Sequence, residues 1–112
     1  MTDLARVTVL GSGTSHGVPL IGCECVTCSS KDPRDQRMRP SIYIELSSGK
    51  NILIDTSTDL RQQALRFKLK SVDAVLYTHS HADHIMGLDE LRRFNVLKGG
   101  PIPCYADART WE

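Results

Sequence analysis

The feature that most constrains this chain is the run Thr78-His79-Ser80-His81-Ala82-Asp83-His84, which begins where an apolar stretch ends. Ala74-Val75-Leu76-Tyr77-Thr78 has the β-branched and aromatic content of a buried strand. Three of the chain's four histidines and an aspartate then fall within six positions with no bulky side chain between them. His79 and His81, two apart on extended backbone, project to the same side. Asp83 and His84 come where the chain turns into the next helix and so aim at a neighbouring point. Two imidazoles for one ion and a carboxylate plus imidazole for a second suit Zn, Mn or Fe. Two such ions, about 3.5–4 Å apart, share a hydroxide, lower its pKa and clamp a phosphoryl group in line. A solvated loop with coincidental histidines is the plain alternative, and the ligand density argues against it.

The rest of the chain reads as a layered α/β protein. Leu4 to Leu10 is a strand ending at Gly11. Ser41 to Leu46 alternates, Ser48-Gly49-Lys50 turns, and Asn51 to Asp55 returns as a second strand. Thr58 or Ser57 can cap a helix running to about Lys68, with Leu60, Ala64 and Phe67 on its apolar face and Arg61, Gln62, Gln63 and Arg66 mostly opposite. Ile85, Leu88, Leu91 and Phe94 recur at helical spacing up to Gly99-Gly100. Ile102 to Ala106 is a short strand, and Asp107 caps a last helical turn containing Glu112. Cys104 reads as an ordinary buried thiol.

Between the first two strands lies a long irregular stretch, Gly11 to Pro40, and loops of that length are functional or disordered. Gly11-Ser12-Gly13-Thr14-Ser15-His16-Gly17 is not a dinucleotide fingerprint, since His16 stands where the third glycine is needed. A tight turn explains the glycines, or a backbone approaching the site closely and bringing His16 toward substrate or metal. Cys23-x-Cys25-x-x-Cys28 sets three thiolates in a polar loop, where a metal site is a better reading than disulfides. A tetrahedral zinc would need a fourth ligand from elsewhere.

These motifs carry a family resemblance. Thr78 to His84 at the end of a buried strand resembles the HxHxDH signature of the metallo-β-lactamase superfamily. The resemblance implies an αββα sandwich, of which the elements above form the N-terminal half. It also implies that His79 and His81 bind one metal and that Asp83 and His84 bind the other, with Asp83 catalytic in orienting the attacking hydroxide. Gly11 to Pro19, the three cysteines and Asp32-Pro33-Arg34-Asp35 are similar to one branch of that superfamily. This is the branch of the phosphoribosyl cyclic phosphodiesterase of phosphonate degradation, in which three cysteines and a C-terminal histidine hold a structural zinc. Cys23, Cys25 and Cys28 match those cysteines, within a zinc loop spanning residues 16–40. Asp55 matches a position that supports the metal centre by hydrogen bonding; capping the next helix is the plain alternative.

The resemblance therefore implies a metal-dependent hydrolase with two divalent ions, Zn or Mn, and one structural Zn. It would act on a small or cyclic phosphodiester through a metal-bridging hydroxide, with His16 as a further catalytic contact to the phosphate. A tRNA 3′-processing nuclease, another ester or thioester hydrolase of the same fold, and a non-catalytic zinc module are the rival expectations. The family's remaining ligands, a His, a bridging Asp and a second His, come from its second half. No histidine follows His84, and Asp89 and Asp107 sit too early to bridge. The 112 residues are therefore expected to be one partial domain, weakly active or inactive alone, because two-ligand sites hold metals poorly.

Composition narrows the partners. A formal charge of +1 gives nucleic acid no electrostatic support as substrate. No apolar run nears the roughly 20 residues of a membrane span. Met1-Thr2-Asp3-Leu4-Ala5-Arg6 has no following h-region, so the cytoplasm is the expected compartment. A homodimer is compatible with the sequence, which fixes no oligomeric state.

Overall fold

The computed structural model describes residues 4–111; the readings of Met1-Thr2-Asp3 and of Glu112 lie outside them. The alternating stretches assemble into one mixed sheet with the order β1-β2-β3-β4-β5. Its strands are β1 (Ala5–Gly11), β2 (Ser41–Leu46), β3 (Asn51–Ile54), β4 (Ala74–Leu76) and β5 (Cys104–Tyr105). The first three run antiparallel, and β3, β4 and β5 run parallel. Between β2 and β3 the chain reverses at Gly49, whose φ of +92° suits glycine.

Parallel neighbours need crossovers, and helices supply them. α1 (Leu60–Phe67) joins β3 to β4. Between β4 and β5 come α2 (Ala82–Ile85), a 3-10 turn over Leu88–Glu90, and α3 (Leu91–Lys98); α4 (Ala108–Trp111) follows β5. Leu10, Tyr43, Leu53 and Val75 on the sheet meet Leu60, Val72, Leu91 and Phe94 from the crossovers to form the core. The sheet's other face is just as apolar. The register stacks Val7 beside Ile44, Ile44 beside Ile52, Val9 beside Ile42, Ile42 beside Ile54, and Ile54 beside Leu76. Val7 and Val9 are 59% and 56% exposed there, so the described residues leave this face open. Among them no helix is long and apolar enough to cross a membrane.

Three local readings are corrected. The single helix expected from Ile85 to Gly99 is broken at Gly87, where a Cβ would also run into the Ser57 carbonyl oxygen. Gly87 N–H donates to Thr56 O at 3.0 Å, and Thr56 N–H donates to His84 O at 2.9 Å, so the break binds the post-β4 segment to the loop after β3. Gln63 is fully buried rather than on a polar face. Its amide donates to the Arg39 carbonyl at 2.8 Å and accepts from the Ser57 hydroxyl at 3.2 Å. Ser57 does not cap α1 across its first turn; its hydroxyl accepts from Asp59 N–H at 2.8 Å. Asp107 does cap its turn, accepting from Thr110 N–H at 2.8 Å.

Leu53 is fully buried on β3, between β2 and β4. Leu53→Ala should lower stability by about 2–5 kcal/mol, read from the denaturation midpoint at unchanged m-value. A loss below about 1 kcal/mol would contradict this placement of the core.

Candidate metal centre

The register places four loops on one edge of the sheet. Gly11 pairs with Ser41, Ile42 with Ile54, and Ile54 with Leu76. The glycine loop after β1, the approach to β2, the loop after β3 and the His-rich loop after β4 therefore all gather there. In open α/β sheets this carboxyl edge is where ligand sites form.

Asp55 ends β3 with φ at +65°, a left-handed backbone that an aspartate adopts only when something holds it there. Its backbone N–H donates to Leu76 O at 2.9 Å. Asp55 is 4% exposed, and its carboxylate is bonded by the segment that follows β4. Oδ1 accepts from Thr78 N–H at 2.8 Å, and Oδ2 accepts from the Thr78 hydroxyl at 2.7 Å and lies 2.6 Å from His84 Nδ1. The carboxylate makes no bond to α1, so the helix-cap alternative fails.

These bonds fix two imidazoles. An acceptor carboxylate requires His84 Nδ1–H to donate. Thr78 has one hydroxyl proton and gives it to Asp55, so at 2.8 Å from His79 Nδ1 it must accept. In both rings the Nδ1–H is thereby held, and a neutral ring presents a bare Nε2 lone pair. The His79 ring centre lies 4.0 Å from that of His84 and 4.5 Å from that of His81. His81 stands exposed at the start of α2, and Asp83 lies half-buried in its first turn.

The donor chemistry fits a cation. His84 Nε2 sits 3.2 Å from Asp83 Oδ2. Two electron-pair donors facing each other at that distance require a positive charge between them, a second ring proton or a metal ion. The spacing also matches neighbouring ligands on one ion with bonds of about 2.0–2.2 Å.

Cys23, Cys25 and Cys28 converge as their spacing predicts. Their sulfurs lie within 4.8 Å of one another, the one such cluster of three or more ligand side chains among the described residues. Zn–S bonds of about 2.3 Å need sulfurs about 3.8 Å apart, so small shifts would close the cluster on an ion. Backbone amides already point at the sulfurs: Cys28 N–H at 3.3 Å from Cys25 Sγ, and Leu20 N–H at 3.4 Å from Cys28 Sγ. The Cys28 amide, with thiols Cys23 and Cys28 adding to it, holds Cys25 down to about 7. Cys25 is therefore readily ionised, as a metal ligand must be.

His16 falls elsewhere. It is exposed and lines a cavity of about 540 Å³ with Arg37, Arg39, Asp59 and Arg66. Among the described residues no hydrogen bond or ring contact joins it to His79, His81 or His84. Thr78 is the residue that sequence reasoning overlooked. Its position, a hydroxyl directly before the first histidine at a strand end, was the available signal.

Known proteins resemble this chain in sequence and fold. A model of the β-lactamase superfamily domain matches residues 50–112, more than half of the chain. The crystal structure of a diphosphatase from the PhnP family superposes with a TM-score of 0.89 at 55% identity, covering 96% of this chain and 43% of that one. Zn²⁺-bound PqqB from Methylobacterium extorquens superposes with a TM-score of 0.71 at 32% identity, covering 91% and 37%. An octanoyltransferase of Porphyromonas gingivalis is 56% identical over 87 residues, 78% of this chain but 18% of that protein, so its name describes a molecule of which the shared stretch is a small part. The chain spans less than half the length of each of these relatives. It belongs to the β-lactamase superfamily, with a PhnP-family diphosphatase among its solved relatives.

Proposed function

We propose that residues 1–112 form the N-terminal part of a dinuclear metal-dependent hydrolase domain acting on small phosphate esters, most simply a small or cyclic phosphodiester. The observation that carries this reading is the bonded set Asp55–Thr78–His79 and Asp55–His84, which engages Nδ1 of both rings and leaves Nε2 for other partners, that of His84 lying beside Asp83. A buried carboxylate in left-handed backbone, tying down a polar loop, supports a functional reading of that loop.

His79 and His81 would hold one ion, and Asp83 and His84 the other. When bound, the ions supply the Lewis acidity that ionises water near neutral pH and neutralises charge on a phosphoryl group. Asp55 holds the His84 ring and, through Thr78, the His79 ring. Asp83, beside His84 Nε2, can accept a hydrogen bond from the attacking water. A separate zinc on Cys23, Cys25 and Cys28 would pin the loop of residues 16–40 against the sheet edge. The diphosphatase relative supports a phosphate-containing substrate. The formal charge of +1 favours a small molecule over tRNA.

Metal uptake and turnover test this together. The chelated chain, reloaded with Zn²⁺ or Mn²⁺, should bind ions at the histidines, and the double variant His79→Ala/His81→Ala should lose the ion that these two residues hold. Hydrolysis of bis-p-nitrophenyl phosphate should lie well below that of the full-length PhnP-family diphosphatase and vanish with His81→Ala. Metal content and turnover both unchanged in these variants would sink the proposal.

Asp55→Asn keeps the shape but cannot accept from both Thr78 and His84 as a carboxylate does. It should weaken ion binding at the histidines by about 10–100-fold while the chain stays folded. Cys25→Ser should remove one zinc per chain, measured by elemental analysis, and leave the ions at the histidines in place. Retention of that zinc would count against the cysteine site.

A further inference from the structure

At the same sheet edge lies the cavity that holds His16, and nothing in the metal centre uses it. Arg37, Arg39 and Arg66 line it with a single carboxylate, Asp59, which leaves two positive charges in excess before His16 is counted; Arg37 and Arg66 stand between it and a neighbouring cavity lined by Ser12, Arg34 and Phe67. Two of the arginines are anchored by hydrogen bonds and the third by an aromatic ring, and each keeps donors free. Arg39 Nε donates to Thr58 Oγ1 at 2.7 Å and lies 3.2 Å from Asp59 Oδ2. Arg37 Nε donates to the Arg34 carbonyl at 2.9 Å, and its Nη1 donates to Ser12 Oγ at 2.9 Å. The Arg66 guanidinium sits 5.4 Å over the Phe67 ring. Among the described residues no acceptor takes Arg37 Nη2, either terminal nitrogen of Arg39, or any Arg66 nitrogen.

Guanidinium forks held in place lose little freedom on binding, and their geometry matches the paired oxygens of a phosphate. Asp59 comes four residues after Asp55, so chain length places its Cα within roughly 14 Å of the Cα of Asp55, whose carboxylate steadies the histidines. We infer that the basin formed by His16, Arg37, Arg39 and Arg66 is a phosphate-binding site distinct from the metal centre. It takes a phosphate dianion, either the free ion or the phosphomonoester arm of a larger ligand. The inference goes beyond the hydrolase reading and survives without it, because the arginines need no metal.

The test is calorimetric titration of the 112-residue chain, with zinc kept on the cysteine loop, using inorganic phosphate and then phenyl phosphate. Saturable binding should weaken about tenfold or more in Arg37→Gln/Arg66→Gln. It should stay within about twofold in Lys50→Gln/Lys70→Gln, which removes the same charge from exposed sites. Arg37→Lys/Arg66→Lys should fall between, since charge is kept and the fork is lost. If the double glutamine variant unfolds by circular dichroism, Arg66→Gln alone serves, because Arg66 makes no hydrogen bond. Tighter binding of phenyl phosphate than of the free ion would identify the group as borne on a larger molecule, and the reverse would identify free phosphate; both support the site. Absence of saturation, an equal loss in the lysine variant, or binding that requires added metal and disappears with His81→Ala would overturn it. Failure of hydrolysis with phosphate binding intact would strike only the proposed activity.

Discussion

The carboxylate of Asp55 is the contact on which the sheet edge depends. A buried carboxylate without partners costs several kcal/mol, so its bonds to Thr78 and His84 are needed for the fold before they serve any chemistry. Its left-handed backbone costs about 1–3 kcal/mol more, and holding it requires that the surroundings over-determine it. They do. Thr56 N–H binds His84 O, Gly87 N–H binds Thr56 O, and the Ser57 carbonyl lies against Gly87 so closely that no side chain fits. The loop after β3 and the segment after β4 are laced together at backbone and side chain alike. The histidines are thus carried by a rigid double loop on the ends of two neighbouring strands.

How much of this was legible depends on the range of the interaction. β2 forms over the residues its alternation predicts, and the His-x-His-x-Asp-His spacing pointed to the edge where these side chains now meet. The sequence resemblance also singled out Asp55 and the three cysteines. Helical periodicity failed at Gly87 because the group that takes its N–H, the Thr56 carbonyl, is far away in the chain. It failed at Gln63 for the same kind of reason: a helical wheel marks glutamine as polar, but a buried carbonyl and hydroxyl satisfy it inside. Thr78 carries a sequence signal, a hydroxyl directly before the first histidine, but its contacts to Asp55 and His79 exist only in the fold. Arg37, Arg39 and Arg66 form no motif, and only folding makes them neighbours.

The sheet itself shows what kind of layer it is. A sheet covered by helices on one side needs apolar residues at alternate positions only. Here Tyr43 faces the helices while Ile42 and Ile44 line the opposite face, joined there by Ile52 and Ile54. Strands apolar on both faces belong to an architecture with a layer on each side, and the superfamily's sandwich is one. Solved relatives are more than twice as long as this chain. The open face is large and continuous, unlike the scattered apolar residues of an ordinary surface.

Charge is divided along the sheet edge in a way that lets two sites of opposite preference coexist. Asp55, Asp83 and the imidazoles gather at one end, where a cation is favoured; the guanidinium groups gather at the other, where an anion is favoured. The loop between them begins at Asp55 and ends at Asp59, so a carboxylate binds each end of it to the side chains it positions. The two ends are joined by that loop, whose conformation is fixed by hydrogen bonds at both ends.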